Sequence, residues 1–507
     1  MNTVWKSGIA LLLAGLASLA SAQSSATSAL PNSPTDNSLQ NSYLGSIHPL
    51  ALSAAPMAIS FNDAIRLGIA HNLGLAVAQN NQLLSQGKRL QTINYLAPNL
   101  SLHAENGVHQ YNLAAQGFNA SVMQQLLPPS YSGPAFPMIA RVDLTTAQAN
   151  YSQQLFNWTG WDAVRAANAD TSASKHQVLS SLGLVILNVG DLYLQALATG
   201  TQVDMAKSLL ASEATTLSQS KDRLQAGTTA QLDVLRAQVA YEQQQQRLIA
   251  AENSFAKAKI ALNRAIGLAV EQKVELASAA PFANLPLLPI DAAQQEAYQK
   301  RQVIQVLEEQ IRAAHFERSA ATHERFPTLS FSGNWGVEGV AGGIYHGTYT
   351  AVGTLSIPIF NEAKFRGDRD VAQAQLDELN AQMNDLKQQV DEQLRDSLLD
   401  IATAGQLVQV TRSNLALANQ SLSDTTTRYR AGVDTNLPVI EAQASVAEAQ
   451  SRYISSVLSY NEAKLSYARN LGVLDELLPP SDLGRQSSTP QPNPGNNKST
   501  GDMAMVQ

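Results

Sequence analysis

The sequence predicts a mainly α-helical chain that also carries membrane-type β-strands, laid out as two copies of helix, β-hairpin and long helical hairpin. Asp222–Leu268 and Thr427–Val473 are one segment written twice without a gap, sharing Arg223/Arg428, Ala226/Ala431, Gly227/Gly432, Gln238/Gln443, Arg264/Arg469 and Gly267/Gly472. A long helix-forming segment copied within one chain points to two equivalent units rather than to one enzyme pocket. Val234, Tyr241, Leu248, Phe255 and Leu262 fall on every seventh residue, and Val439, Val446, Tyr453, Tyr460 and Tyr467 do the same in the second copy. That spacing keeps a narrow apolar seam facing neighbouring helices. Alternation in the strand-like runs is the third observation: Tyr349, Ala351, Gly353, Leu355, Ile357 and Ile359 are apolar or small, with Thr348, Thr350, Thr354 and Ser356 between them.

Taken in order, residues 1–22 read as a secretory signal: Lys6, the apolar run Ile9–Ala20, then the small residues Ala20-Ser21-Ala22. Residues 23–55 and 475–507 are rich in Ser, Asn and Pro and are expected to be disordered. The first repeat is placed at 56–268, with a helix over Phe61–Tyr95, a β-hairpin at about 99–156 around the Pro/Gly-rich loop Gln116–Pro137, and a helical hairpin over Trp161–Gly267 broken near Gly227. A linker at 269–290 leads to the second repeat at 291–474: helix Ala292–Glu324, β-hairpin at about 328–360 turning within Gly336–Gly347, and helical hairpin Lys364–Gly472 broken near Gly432. An unbroken limb of about 65 residues is on the order of 100 Å long, which no compact globule accommodates.

Leu329, Phe331, Gly333 and Trp335 alternate with Ser330, Ser332 and Asn334, and Leu100, Leu102 and Ala104 alternate with Ser101, His103 and Glu105. One apolar and one polar face suit strands with lipid outside and water inside. In Val142–Leu155 the alternation changes phase. Four strands cannot span lipid as an open sheet, because unpaired edge groups cost several kcal/mol each. Closure therefore needs further copies, about 8, 12 or 16 strands for two, three or four chains, and strand physics does not choose among them.

Composition removes other classes. A formal charge of −7 gives no electrostatic case for nucleic acid binding. The chain has no Cys, hence neither disulfides nor a lipidated cysteine. No Walker glycine loop, zinc-ligand helix or nucleophile elbow is present, so no catalytic, metal or cofactor site is assigned and no enzyme activity is expected. His103 and His109 read as pore-lining or surface residues, and Glu308-Glu309 and Asp391-Glu392 as solvated helix faces.

The export signal, the doubled element order, the strand ends Gln153-Gln154-Leu155-Phe156-Asn157 and Ser356-Ile357-Pro358-Ile359-Phe360-Asn361, and the turns Arg223-Leu224-Gln225-Ala226-Gly227 and Arg428-Tyr429-Arg430-Ala431-Gly432 resemble the TolC family of outer-membrane efflux proteins over roughly Ile59 to Leu474. The resemblance implies a homotrimeric channel: a 12-stranded β-barrel in outer-membrane lipid, four strands per chain, joined to a periplasmic α-helical barrel. It implies a passive exit duct of an efflux or type I secretion system, docked with a periplasmic adaptor and, through it, an inner-membrane transporter. An alternative class, a periplasmic coiled-coil structural or adaptor protein, has no use for the lipid-type alternation and for two hairpins interleaved with two strand pairs.

The same resemblance makes Gly227, Thr228, Gly432 and Val433 the adaptor-contacting tips and places Asp233, Tyr429, Asp434 and Glu441 at the periplasmic gate. Asp434 stands where family members carry a basic residue, and Pro438 where one ring acid stands. The closed state is then expected to rest on packing and hydrogen bonds, with Asp434 adding negative charge. Read without the resemblance, the glycines serve tight helix reversals, Asp233 is a first-turn acid favoured by the helix dipole, and Pro438 is a first-turn proline.

Overall fold

The computed structural model describes residues 42–47, 50–115, 138–277 and 287–474, of which Tyr43 onward form one compact unit. The expected signal, the Gln116–Pro137 loop and the 475–507 tail lie outside the described residues.

Strand β1 (Met57–Ile59) leads into helices α1 (Phe61–His71) and α2 (Leu73–Asn94), strands β2 (Asn99–Asn112) and β3 (Ile139–Phe156), and the helical hairpin α3 (Trp158–Gln225) and α4 (Gln231–Ala265). Strand β4 (Val274–Leu276) is followed by α5 (Ile290–Lys300), α6 (Gln302–His323), β5 (Thr328–Val340), β6 (Tyr345–Ser356), α7 (Glu362–Arg430) and α8 (Leu437–Leu471). The doubling extends to element lengths: α1 and α5 have 11 residues each, α2 and α6 have 22 each, and α3 and α7 have 68 and 69. At about 1.5 Å per residue the two long helices reach on the order of 100 Å.

Five sequence expectations need correction. The helix expected over Phe61–Tyr95 is broken at Asn72, whose extended backbone ends α1 while its Oδ1 accepts the Gly74 and Leu75 amides that start α2. Its Nδ2 donates to the Tyr43 carbonyl, so one buried side chain satisfies three backbone groups at a helix boundary. The helix expected over Ala292–Glu324 breaks likewise at the extended Arg301. The expected disordered linker 23–55 is ordered in part. Tyr43 bonds Ser181 at 3.1 Å and its ring lies so close to Gly74 that a Cβ there would clash, while the Leu50 amide donates to the Gly267 carbonyl. The inter-repeat linker at 269–290 contributes β4, which pairs parallel with β1. Finally, the second β-hairpin turns at residues 341–344, not across Gly336–Gly347, because Gly336 and Gly339 continue β5 with their Cα positions pressed against neighbouring backbone.

The core sits around the middle of the long helices, where Val185, Ile186, Val189 and Tyr193 of α3 meet Leu262, Leu394, Leu465 and Tyr467. Gly190 lets α3 and α8 approach: a Cβ there would stand 2.6 Å from Leu465 Cδ2. Tyr193 Oη donates towards the Ile59 and Ala277 carbonyls, tying the small β1–β4 pair to the helices. Along the heptad seam, Val234, Leu262, Val439, Val446 and Tyr467 are buried within the single chain, whereas Tyr241, Leu248, Phe255, Tyr453 and Tyr460 are half-buried.

The other strands form an antiparallel sheet in the order β2-β3-β5-β6. Opposed residues share a face, so the register sorts the sheet into rows. Leu102, Ala149, Trp335 and Tyr349 make one row, Leu100, Tyr151, Gly333 and Ala351 the next, all on one face. Ser101, Asn150, Asn334 and Thr350 make a row on the opposite face, and Glu105, Thr146, Glu338 and His346 another. The apolar face is bare in the single chain, with Leu102 at 85% and Tyr349 at 80% exposure.

Candidate periplasmic gate and tunnel tips

Both helical hairpins reverse through the same hydrogen-bond pattern. Gly227 and Gly432 hold φ of 70° and 77°, a left-handed conformation that side chains resist. The Thr228 amide reaches back to the Arg223 carbonyl and the Gly227 amide to the Leu224 carbonyl, matched by Val433 to Arg428 and Gly432 to Tyr429. These bonds satisfy carbonyls left over at the helix ends, as a Schellman cap does. Gly227, Thr228, Gly432 and Val433 stand exposed at these tips, with Val433 71% exposed.

Behind the tips the two hairpins are tied together by uncharged side chains and by one arginine. Tyr429, 2% exposed, shares a 3.0 Å hydrogen bond between its hydroxyl and Ser220 Oγ on α3. The fully buried Asn436 donates from Nδ2 to the Asp233 carbonyl at 2.6 Å and to Ser220 Oγ at 3.4 Å. One heptad along α8, buried Gln443 donates to Ser212 Oγ and Thr216 Oγ1 at 3.1 and 3.2 Å. Arg223 caps α7 from the other repeat: its guanidinium lies 4.2 Å from the Tyr429 ring centroid and donates to the Tyr429 and Arg430 carbonyls. A cation there complements both the ring face and the negative end of the helix.

Of the residues picked from sequence, Tyr429 and Asp233 are brought together, through Ser220 and Asn436 rather than directly. The Asp233 carboxylate stays on its own turn, accepting from Thr229 Oγ1 at 2.5 Å with Arg236 Nη1 at 3.6 Å. Asp434 requires correction. Arg428 Nε donates to its Oδ2 at 3.1 Å, so its charge is compensated within the turn instead of standing bare. Pro438 occupies the first turn of α8. Glu441 is exposed beyond it, and its carboxylate takes no part in this lock. Ser220, Arg223, Asn436 and Gln443 are the residues that sequence reading missed as a group. Arg223 and Gln443 were visible as repeated positions, but their partners lie in the other repeat, on α7 for Arg223 and on α3 for Gln443.

Two acids, one buried and one half-buried, lie further along the helices. Glu213, 5% exposed, is pushed up to about 7 by burial, with Arg247 drawing it partly back. Asp191 is likewise pushed up to about 7 by burial and by the charge of Glu462.

The family described as outer membrane efflux protein matches residues 138–268 and 293–473, more than half of the chain and both repeats. The chain belongs to that family. Members of the outer membrane efflux protein family are channel proteins, and the strands of this member accordingly lie in the outer membrane with the helices on the periplasmic side. The chain is 28% identical over 310 residues to the pyoverdine export outer membrane protein OpmQ of Pseudomonas putida, covering 56% of this chain and 61% of that one. It is 30% identical over 261 residues to the toluene efflux pump outer membrane protein TtgC of Pseudomonas putida, covering 48% and 51%. The matches thus span only about half to three-fifths of these relatives. Among solved structures, the outer membrane protein VceC of Vibrio cholerae superposes with a TM-score of 0.66 at 18% identity, over 81% of this chain and 96% of that one. At that identity the likeness concerns the fold, a TolC-like channel protomer.

Proposed function

We propose that three copies of this chain close a 12-stranded barrel in the outer membrane and continue it as a helical tunnel through the periplasm. The observation that carries the reading is the four-stranded sheet with one apolar and one polar face, whose outer strands β2 and β6 each have a single neighbour among the described residues. In lipid an unpaired strand edge costs several kcal/mol per group, and pairing β6 of one copy with β2 of the next removes every edge. The helices support the same assembly. Leu232, Leu235, Val239, Ile249 and Ile260 form a second row of three-and-four spacing along α4, and Leu399, Val410 and Leu417 a row on α7, all exposed in the single chain. Rows of this kind are what adjoining copies cover in a helical barrel.

The duct is passive: it docks through its tips, Gly227-Thr228 and Gly432-Val433, with a periplasmic adaptor that links it to an inner-membrane transporter supplying the energy. Asp233, Tyr429, Asp434 and Glu441 surround the closed entrance, and the Tyr429–Ser220–Asn436 hydrogen bonds hold it shut. Relatives named for cargo as unlike as pyoverdine and toluene share the architecture, which favours selection of cargo by the partner transporter rather than by tunnel residues. Fractionation should recover the protein with the outer membrane, and the purified protein alone should conduct ions in planar bilayers. A periplasmic protein that leaves bilayers silent would refute the proposal.

A further inference from the structure

The first β-hairpin is longer than the second and changes character along its length. β3 pairs with β5 only as far as Leu144 opposite Val340. Beyond that row the Ala341 amide still donates to the Asp143 carbonyl at 2.8 Å, and among the described residues Ile139–Val142 then pair only with His109–Asn112 of β2, as a two-stranded ribbon standing past the rim of the sheet. Below the rim the outer face carries Leu100, Leu102, Ala104, Ala147 and Ala149, and the inner face Ser101, His103, Glu105, Gln148 and Asn150. Above it the pattern inverts. The outer face now carries Gln110, Asn112, Arg141 and Asp143, with Val108 and Ile139 as apolar exceptions and Arg141 Nε donating to Gln110 Oε1 at 2.9 Å. The inner face carries Tyr111, Ala140, Val142 and Leu144, continued onto β5 by Val340, and His109 stacks on Tyr111.

A polar outer face fits a ribbon that has left the lipid and meets water. An apolar inner face has no lipid to meet, and in a lone ribbon it would stay wet. Resting on the three-chain barrel above, we propose that the inner faces of three such ribbons meet over the pore axis and form an apolar collar at the outer mouth. The partner of this surface is therefore the same ribbon of the two other copies. The dimensions allow it: five residues past the rim reach about 17 Å, against a radius of roughly 12 Å for 12 strands at a tilt near 40°. A ring of this kind restricts ion flow by excluding water, and it opens when the ribbons part.

The absence of Cys from the chain makes a clean test. Val142→Cys and Tyr111→Cys, both facing inward, should cross-link between copies under mild oxidant and run as dimers without reductant, whereas the outward-facing Asp143→Cys should remain a monomer. Native mass of each variant reports assembly separately. Trimers in which neither inward cysteine cross-links would overturn the collar and leave the barrel standing, as would trimers in which Asp143→Cys cross-links equally well. Failure of every variant and of the parent protein to form trimers would overturn the barrel, and the collar with it.

Discussion

Asn436→Ala removes the side chain that ties the second-repeat tip to the first. Its Nδ2 donates to the buried Asp233 carbonyl at 2.6 Å and, more weakly, to Ser220 Oγ at 3.4 Å. The Asp233 carbonyl keeps its intrahelical bond from the Ala237 amide, so losing the first bond costs the net worth of one hydrogen bond, about 0.5–1.5 kcal/mol, and the longer bond adds about 0.5 kcal/mol. The closed tip should therefore weaken by about 1–2 kcal/mol per chain, a shift of roughly 5- to 30-fold in the ratio of open to closed, provided the open tip hydrates these groups. Single-channel recording in planar bilayers reads this directly, as a larger fraction of time spent at high conductance. Tyr429→Phe, which removes only the hydroxyl bonded to Ser220, should shift the ratio in the same direction by no more than about tenfold. Conductance and open time equal to the parent in both variants would show that these hydrogen bonds do not hold the gate.

Burial raises Glu213 from 4.5 to about 7, so between those values the folded chain keeps a proton that the unfolded chain releases. Its contribution to stability is accordingly lost as pH rises through that window, by at most about 3 kcal/mol. Glu213→Gln should melt higher than the parent at pH 8 and close to it at pH 4.5, followed by helical circular dichroism in detergent; equal midpoints at pH 8 would contradict the burial. Gly432→Ala meets no neighbour within 4 Å but must adopt φ of 77°, so it should destabilise the tip by about 1–2 kcal/mol, seen as faster amide exchange at 428–436 with the rest of the helices unchanged. Gly190→Val should drive a side chain into Leu465 and lower stability by about 1–3 kcal/mol or more, and adding Leu465→Ala should restore part of the loss.

The doubled plan was legible because two signals agreed, the copied segment around Gly227 and Gly432 and the seven-residue seam. The interruptions at Asn72 and Arg301 were not, since both lie inside runs whose periodicity continues on either side; at Asn72 the new helix is capped by its Oδ1 accepting the Gly74 and Leu75 amides, while its Nδ2 is held by the Tyr43 carbonyl 29 residues away. β1 and β4, three residues each, are too short to alternate visibly. The phase change in β3 was visible as an irregularity. Its physical source is a strand that outruns the lipid, with a register shift near Gln154 at the other end. At the gate, Tyr429 and Asp233 could be picked out, yet the residues joining them could not, because Ser220 lies 209 positions from Tyr429 in sequence. Asp434 was misread for a different reason: its partner Arg428 is only six residues away, and charge counted by position overlooked a pair made across a turn.

Native mass spectrometry of the protein extracted from outer membranes in mild detergent tests the assembly most directly. Three chains per particle, with mixed helix and strand content, is the expected result: the sheet's two edges require further copies in lipid, and the resemblance to the TolC family sets their number at three. A single chain retaining full secondary structure would contradict it.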